Sequence, residues 1–225
     1  TEENPDSLHV EKARDFISTV RPEVIVALGG GSSMDIAKAA NLIHSCGGRV
    51  GDFHGYGKAT GPLLPMVGIP TTTGTGSEAQ SYAVIVDRQT HLKMACGNQG
   101  MLFGTVILDP ELALSQPRSV AAVTALDAIS HSLEAAVTTA RNPLSLSYAR
   151  EAWRLLSANF DRLLARTADV ATMGAMQWGA FLAREPGETS PTKWQAWRAP
   201  PGHRRRAHLC RCGRLARLHS DRVAA

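Results

Sequence analysis

An apolar segment that ends in three glycines constrains the fold of the first half of this chain more than any other feature. Residues 24–28 read Val-Ile-Val-Ala-Leu, a continuous apolar run, and residues 29–31 are all glycine. A run of this kind is typical of a strand buried in a parallel sheet. The segment 33–45 that follows carries apolar residues at helical spacing, which predicts a helix. Further β segments, bounded by Gly, Asn and Pro, are expected at 65–70, 82–87 and 106–108.

The second half of the chain predicts helices only. Beyond residue 120 the β segments end and Ala-rich amphipathic stretches follow. The predicted helices span 120–140, 144–166 and 168–183, and a further one, 10–19, precedes the first strand. These patterns predict an α/β nucleotide-binding domain with a mostly parallel sheet at 1–117 and an all-helical domain at 118–183, with the boundary near Pro117.

The segment 184–225 differs from both predicted domains. It has 10 Lys and Arg against 3 Asp and Glu, whereas residues 1–183 have 14 against 17, so the basic pI of about 9.1 comes from this tail. It has no helical period and few aliphatic residues, and such a segment cannot bury enough surface to offset its ordering entropy. We therefore expect a basic, disordered tail. One hypothesis is that it is translated from a shifted reading frame. A nucleic-acid-binding patch is not expected, because no predicted element presents its arginines.

The composition fits an ordinary soluble protein of the cytoplasm. Hydrophobic residues make up 44% of the chain and charged residues 20%, and no apolar run approaches the roughly 20 residues that span a bilayer. The first residues do not form a signal peptide. The cysteines, too few for a disulfide framework in a chain of this length, are Cys46, Cys96, Cys210 and Cys212. We expect reduced thiols, a cytoplasmic location and no membrane partner.

The glycine segment 29–32 lies between a predicted strand and a predicted helix, where it is suited to bind a phosphate. Glycines let the backbone approach a ligand closely, and the first N–H groups of the helix point at an anion. Ser32 or Ser33 is expected to cap the helix, with Asp35 in its first turn. The alternative is a tight turn that binds nothing, since the segment is neither a Walker A motif nor G-x-G-x-x-G.

A second loop, 71–78, alternates hydroxyl side chains with glycine. Placed after a predicted strand, its threonines offer several short hydrogen-bonding groups to ribose and phosphate oxygens. The alternative is a polar turn followed by a capped helix, and the presence of the glycine segment 29–32 favours the ligand. Lys93 is a further polar candidate that could face a cofactor; the alternative for Lys93 is a solvated surface lysine.

Asp127 and His131 could form half of a metal site. They are four residues apart on a predicted helix, so they project from one face and can hold a divalent ion together. The alternative is an ion pair on the helix surface. Apolar neighbours indicate a largely buried helix, in which a carboxylate without a partner would be costly, and this favours metal binding. Two ligands still do not fill a catalytic coordination shell.

Three segments together resemble the iron-containing (group III) alcohol dehydrogenase family. They are 27–38 (ALGGGSSMDIAK), 68–78 (GIPTTTGTGSE) and 125–135 (ALDAISHSLEA), and the resemblance extends from about residue 1 to residue 183. It implies an incomplete Rossmann-like NAD(P)-binding domain and a helical domain, arranged as in the dehydroquinate synthase-like enzymes. It also implies hydride transfer between a small-molecule alcohol or aldehyde and the nicotinamide, with Fe²⁺, or Zn²⁺ as the alternative, polarising the alcohol oxygen.

The resemblance also implies roles for individual residues. Seven would bind the cofactor: Gly30, Gly31 and Ser32 at the pyrophosphate, Thr71, Thr72 and Thr75 along the ribose and nicotinamide, and Lys93 at a cofactor ribose. Asp127 and His131 would be two of four metal ligands. No catalytic residue is assigned.

The chain departs from the family pattern at both ends. The family has a β-α unit before the position of residue 1, so we expect the sheet to lack its first strand. After residue 183 the family continues with two more histidine ligands and a catalytic histidine in a Gly-x-x-His-x-x-x-His-Pro segment, which this chain does not match. The histidines left as candidates are His203, His208 and His219. A catalytically dead nucleotide-binding remnant is therefore the alternative function. The choice between NAD and NADP, the substrate and a homo-oligomeric state stay open.

Overall fold

The computed structural model describes residues 5–139, 141–165 and 168–184. Most of the predicted basic tail therefore lies outside the described residues. The described residues divide into two units: the first comprises those up to Thr71 together with Gly76–Leu112, and the second comprises Thr72–Thr75 together with those from Ala113 onward. The predicted boundary at residue 117 lies close to this division, but the sequence did not predict that a short loop of the α/β half would group with the helices.

The secondary structure follows the predicted order of elements. The helices are α1 Ser7–Val20, α2 Gly31–Cys46, α3 Pro110–Ala113, α4 Arg118–Val137, α5 Pro143–Leu164 and α6 Val170–Arg184. The strands are β1 Ile25–Gly29, β2 Gly55–Tyr56, β3 Met66–Pro70, β4 Tyr82–Val86, β5 Lys93–Gly97 and β6 Thr105–Val106. A Rossmann-like arrangement of parallel strands and helices followed by a helical region is thereby confirmed.

The described strands of the first unit form two sheets rather than one. β1, β3 and β6 are parallel neighbours in that order, whereas β5 pairs with β2 in parallel and with β4 in antiparallel orientation. The sequence analysis missed β5. Its residues, Lys-Met-Ala-Cys-Gly, include none of the β-branched or aromatic types that mark a strand, so it is a strand because of its pairing with β2 and β4.

Helix α2 is the centre of the first unit. It is buried on most sides and contacts α1, β1 and β4. Its largest buried apolar side chains, Met34, Leu42 and Ile43, are at most 2% exposed. Burying a side chain of this size contributes roughly 1.5–3 kcal/mol, so α2 fixes the strand before it. This position matters because the helix begins where the glycine segment ends.

Strand β1 is covered on one face only by the described residues. Ala27 is buried, while Val26 and Leu28 on the opposite face are 56% and 59% exposed. β1 is also an edge strand of its described sheet. The continuous apolar run predicts burial on both faces, and that expectation was wrong for this face. An open apolar groove of about 410 Å³ lies here, lined by β1, α1 and α2.

The second unit is a bundle of α4, α5 and α6, which contact one another extensively. The face that α4 contributes consists of small residues, Ala121, Ala125, Ala128, Ser132 and Ala135. Because these side chains are small, the larger residues Leu156 of α5 and Met176 of α6 fill the core and are completely buried. The tight packing of α4 explains how a helix with so few large core residues is held in place.

By length and composition alone, α4 could cross a membrane. It has 20 residues and a mean hydropathy of 1.3 over its most apolar window, although polar residues interrupt it and no apolar run within it approaches the length that spans a bilayer. A core helix of a soluble protein meets the same criterion. The buried small-residue face of α4 packs against α5 and α6, which supports that interpretation, and the absence of a membrane partner stays a prediction.

Candidate functional site

The glycine segment ends β1 and begins α2. Gly29 has φ of 145°, a conformation that favours glycine, and a Cβ there would lie 2.4 Å from the Ser33 Oγ. Gly30 is the N-cap of α2, and no side chain caps the helix. The expectation that Ser32 or Ser33 caps α2 was wrong, because the helix begins two residues earlier than predicted. For the same reason Asp35 lies beyond the first turn.

An N-terminus without a side-chain cap is suited to an anionic ligand. The first N–H groups of a helix have no partner within the helix, and phosphates commonly bind them. By contrast, α1 and α5 receive side-chain caps from Asp6 and Asn142. Gly30, Gly31 and Ser32 are all half-buried, so the start of α2 is partly accessible to a ligand.

The threonine loop begins beside the glycine segment. β1 and β3 are parallel and in register, with Gly29 opposite Pro70. Immediately after β3 the N–H of Thr71 donates to the carbonyl of Gly29 at 2.9 Å. The structure therefore brings Thr71 next to the glycine segment, at the carboxyl end of two neighbouring strands, which is where open α/β sheets bind ligands.

The next residues of that loop belong to the helical unit. Thr73 is fully buried and forms two hydrogen bonds with Gln116. The Thr73 N–H donates to Gln116 Oε1 at 3.3 Å, and Gln116 Nε2 donates to Thr73 Oγ1 at 2.8 Å. The sequence analysis did not single out Gln116, because no pattern links residues 43 positions apart. The backbone of Gly74 is so close to α4 that a Cβ would lie 1.9 Å from the Thr124 carbonyl oxygen.

Thr72 carries a direct indication that this loop binds a ligand. Its Oγ1 is buried and has no hydrogen-bond partner among the described residues. A buried hydroxyl left without a partner costs roughly 1–3 kcal/mol, and an oxygen of a bound cofactor would remove that cost. Thr71 and Thr75 are half-buried. These residues therefore fit a dinucleotide that interacts with the loop through short hydroxyl side chains.

Lys93 is placed differently from the other predicted cofactor residues. It opens β5 in the second sheet, opposite Val86, and its side chain is exposed. Gly30, Gly31 and Ser32 instead follow a strand of the first sheet. The position is compatible with the alternative of a solvated surface lysine.

Sequence reasoning missed a buried polar network on α2. Lys38 is completely buried, and its ammonium donates to the backbone carbonyls of Ser77, Gln80 and Tyr82 at 2.6, 2.5 and 3.0 Å. Asp35, one turn earlier, is 8% exposed. The apolar residues around both of them in 34–43 could have signalled their burial, since a charged residue in an apolar stretch of a helix points to a specific partner.

The predicted metal ligands form an ion-pair cluster in the second unit. His131 Nε2 lies 3.6 Å from Asp127 Oδ1, one turn apart on α4. Arg184, at the end of α6, donates from Nε to His131 Nδ1 at 3.1 Å, and its Nη2 lies 4.0 Å from Asp127 Oδ2. The His131 and Arg184 side chains are largely buried, but that of Asp127 is 46% exposed. The argument that burial favours metal binding therefore does not hold for Asp127.

The described residues do not complete a metal centre. Two donors bound tetrahedrally at about 2.1 Å would be roughly 3.4 Å apart, so the separation of Asp127 and His131 suits one shared ion. Among the described residues, however, no group of three or more His, Cys, Asp or Glu could hold a metal. The Arg184 guanidinium beside both donors also opposes a second cation. His203, His208 and His219 lie outside the described residues.

Comparison with known proteins identifies the relatives of this chain. Residues 1–110 match the family model described as iron-containing alcohol dehydrogenase. The chain is 33% identical over 180 residues to the NAD-dependent methanol dehydrogenase of Bacillus methanolicus, covering 80% of this chain and 47% of that protein. It is 29% identical over 182 residues to the 1,3-propanediol dehydrogenase of Citrobacter freundii, covering 81% and 47%.

A solved structure shows the same fold. The sulfoacetaldehyde reductase of Bifidobacterium kashiwanohense in complex with NAD⁺ superposes with a TM-score of 0.76 at 32% identity, covering 81% of this chain and 49% of the other. The chain thus spans about half the length of the curated relatives and solved structures that it matches. Residues 1–110, which match the family model, contain both loops.

Proposed function

Since the chain belongs to the iron-containing alcohol dehydrogenase family, we propose that it binds NAD(H) and carries the cofactor-binding part of an NAD(P)-linked alcohol dehydrogenase. One observation carries this proposal. The Thr71 N–H donates to Gly29, which joins the threonine loop to the glycine segment beside a helix N-terminus without a side-chain cap. Its relatives reduce or oxidise small alcohols and aldehydes according to their names, so we propose a substrate of that class. A cytoplasmic location is proposed from the sequence composition alone.

The proposed roles follow from the chemistry of each group. The backbone of Gly30, Gly31 and Ser32 would bind the pyrophosphate at the start of α2. The hydroxyls of Thr71, Thr72 and Thr75 would bind ribose and nicotinamide oxygens, and the buried Oγ1 of Thr72 supports this most directly. Lys93 keeps its proposed contact with a cofactor ribose on the resemblance alone. When bound, NAD(H) supplies the hydride chemistry.

Metal dependence rests on the family resemblance and on the Asp127–His131 pair. We propose Fe²⁺, with Zn²⁺ as the alternative, and Asp127 and His131 as two of its ligands. The described residues do not fit a complete site, because they offer only these two donors beside Arg184. The chemistry of an intact site is therefore not assigned to this chain, and a nucleotide-binding remnant without catalysis stays the second candidate.

Titration with NADH tests the proposed nucleotide site. Gly31→Val places a branched side chain at the first residue of α2, where the pyrophosphate must approach the backbone. We expect the substitution to weaken NADH binding at least tenfold, measured by fluorescence, while circular dichroism stays unchanged. Gly104→Ala is the matched control, because the nearest atom to its Cβ would be the Met66 carbonyl oxygen at 3.9 Å. Equal NADH affinity of the wild type and Gly31→Val would contradict the proposal.

A metal and activity assay separates the two candidate functions. We expect weak metal binding that a chelator removes and that His131→Ala abolishes, with NAD⁺ reduction on a panel of primary alcohols far below the ~10 s⁻¹ typical of enzymes. One tightly held Fe²⁺ or Zn²⁺ per chain with ordinary turnover would instead show that residues beyond 184, such as His203, His208 or His219, complete the site.

A further inference from the structure

We propose that Lys38 and Asp35 are positioning residues for the cofactor, because they tie the end of the threonine loop to the helix that begins at the glycine segment. The inference rests on the proposed binding of NAD(H) to this unit. Neither residue belongs to the set that we assign to cofactor contact. Each acts through the backbone that it holds.

Lys38 is bound by a set of acceptors that matches its ammonium group. The three N–H protons of a lysine need three acceptors when water is excluded, and the carbonyls of Ser77, Gln80 and Tyr82 supply them within 3.0 Å. The Phe103 ring lies 5.2 Å from the same nitrogen, which adds a cation–π contact. A completely buried cation is costly, so this arrangement persists only because the three carbonyls are fixed in one geometry.

Asp35 binds the same stretch of backbone from one turn earlier on α2. Its Oδ1 accepts from Ser77 Oγ at 2.8 Å, and its Oδ2 accepts from the N–H of Val84 at 3.0 Å. Gln80 Nε2 donates to Ser77 Oγ at 3.0 Å and extends the network. Two charged side chains of one helix thereby bind the segment 77–84 at five points.

The network anchors one end of the threonine loop within the first unit. The threonine loop starts at Thr71, whose N–H donates to Gly29, and it ends at Ser77, which Lys38 and Asp35 hold against α2. Both ends of the loop are thus attached to the strand–helix pair that carries the glycine segment. Apolar residues of similar volume would fill this space without the desolvation cost of two charges. What the charged residues add is a defined placement of the backbone, which a cofactor spanning both loops requires.

Lys38→Met tests this proposal, because it keeps an unbranched side chain only one atom shorter and removes the three donors. We expect NADH to bind at least tenfold more weakly, measured by fluorescence titration of the full chain. Lys58→Met is the matched control: Lys58 donates to one backbone carbonyl, that of Asp52, at 3.3 Å in an exposed position. Its NADH affinity should equal that of the wild type.

A second variant, destabilised to a similar extent as the network variants, separates a merely structural role from positioning. Val10 is completely buried in the core of the same unit, and Val10→Ala should lower the melting temperature without changing NADH affinity. The milder variants Asp35→Asn and Ser77→Ala should weaken NADH binding about threefold to tenfold, and they decide the question if Lys38→Met does not fold.

The failure of this inference and the failure of the proposed function give different results. If the wild type does not bind NADH, both are wrong. If the wild type binds NADH and Lys38→Met, or Asp35→Asn in its place, binds equally well, only the positioning role is wrong. A loss of affinity in Val10→Ala as large as that in the network variants would also overturn the inference, since general destabilisation would then explain it.

Discussion

At the scale of single residues, Gly74 is the position where a side chain is least tolerable. A Cβ there would lie 1.9 Å from the Thr124 carbonyl oxygen and 2.8 Å from the Ala125 nitrogen. Both are backbone atoms of α4, so no rotation of a side chain can relieve the overlap. The glycine therefore allows the buried Thr73 and its loop to lie directly on the helix.

Gly74→Ala should destabilise the protein by about 1–3 kcal/mol, the usual cost of overpacking, because either the loop or α4 must move. Urea denaturation followed by circular dichroism measures the effect. The same change at Gly104 meets no atom closer than 3.9 Å and should alter stability by no more than about 0.5 kcal/mol. A Gly74→Ala protein as stable as Gly104→Ala would show that the loop is not held against α4.

The sequence predicted which residue types line the loops, but not their partners. Alternating glycines and hydroxyls indicated two ligand-binding loops from local chemistry alone. The contact of Gln116 with Thr73 and that of Arg184 with His131 join residues 43 and 53 positions apart. No periodicity or motif in the sequence indicates such pairs, because these residues come together only when the chain folds. For the same reason, the metal half-site was predicted without the guanidinium beside it.

At the scale of elements, Asp169 shows how one side chain begins a helix. It stands just before α6, and its Oδ1 accepts from the N–H and the hydroxyl of Thr172 at 2.8 and 2.7 Å. These hydrogen bonds, that of the hydroxyl first, lower the pKa of the Asp169 carboxyl below its ordinary value. A lowered pKa means that the ionised form stabilises the folded state.

The pKa of Asp169 is lowered on folding. The stabilisation of the folded state by its carboxylate is therefore complete above the unfolded-state pKa of about 3.9, and it is lost as the pH falls through the folded-state pKa. Asp169→Asn keeps an oxygen for capping and removes the charge. We expect the variant to melt at a lower temperature than the wild type at pH 7, with the difference disappearing on acidification below about pH 3.9. A difference in melting temperature that does not depend on pH would contradict this.

The long helices and the predicted strands lie within a few residues of their expected bounds, whereas the short elements β2 and α3 and the strand β5 were not predicted. The four long amphipathic helices α1, α4, α5 and α6 lie within a few residues of their predicted bounds. Each of these segments has apolar residues at helical spacing, and this local pattern does not depend on a partner. β5 is a strand because β2 and β4 pair with it. The start of α2 was misplaced because a glycine N-cap leaves no side-chain signal, whereas serine suggested one.

At the scale of the whole molecule, the first unit exposes an apolar face. Val26 and Leu28 of β1 are exposed beside Phe16 and Val20 of α1, which are 68% and 54% exposed. β1 also offers an unpaired edge in its described sheet. Exposed apolar patches and open strand edges favour association. The sequence could not reveal this face, because its apolar residues have the pattern of a buried core.

The purified chain should therefore self-associate through this face. Val26→Lys places a charge in the middle of the exposed side of β1, and we expect it to shift sedimentation velocity profiles towards the monomer. Leu92→Lys is the control, since Leu92 is 66% exposed but lies on the turn between β4 and β5. If both variants sediment like the wild type, the face does not mediate association.

The complete burial of Lys38 has a consequence for chemical labelling. Amine-reactive reagents modify exposed lysines within minutes, but they can reach this nitrogen only when the segment 77–84 detaches from α2. The acylation rate of Lys38 therefore reports how often the first unit opens. Lys58 and Lys93 are both exposed, so their acylation rates in the same sample provide the reference. The chain thus contains its own probe of local unfolding.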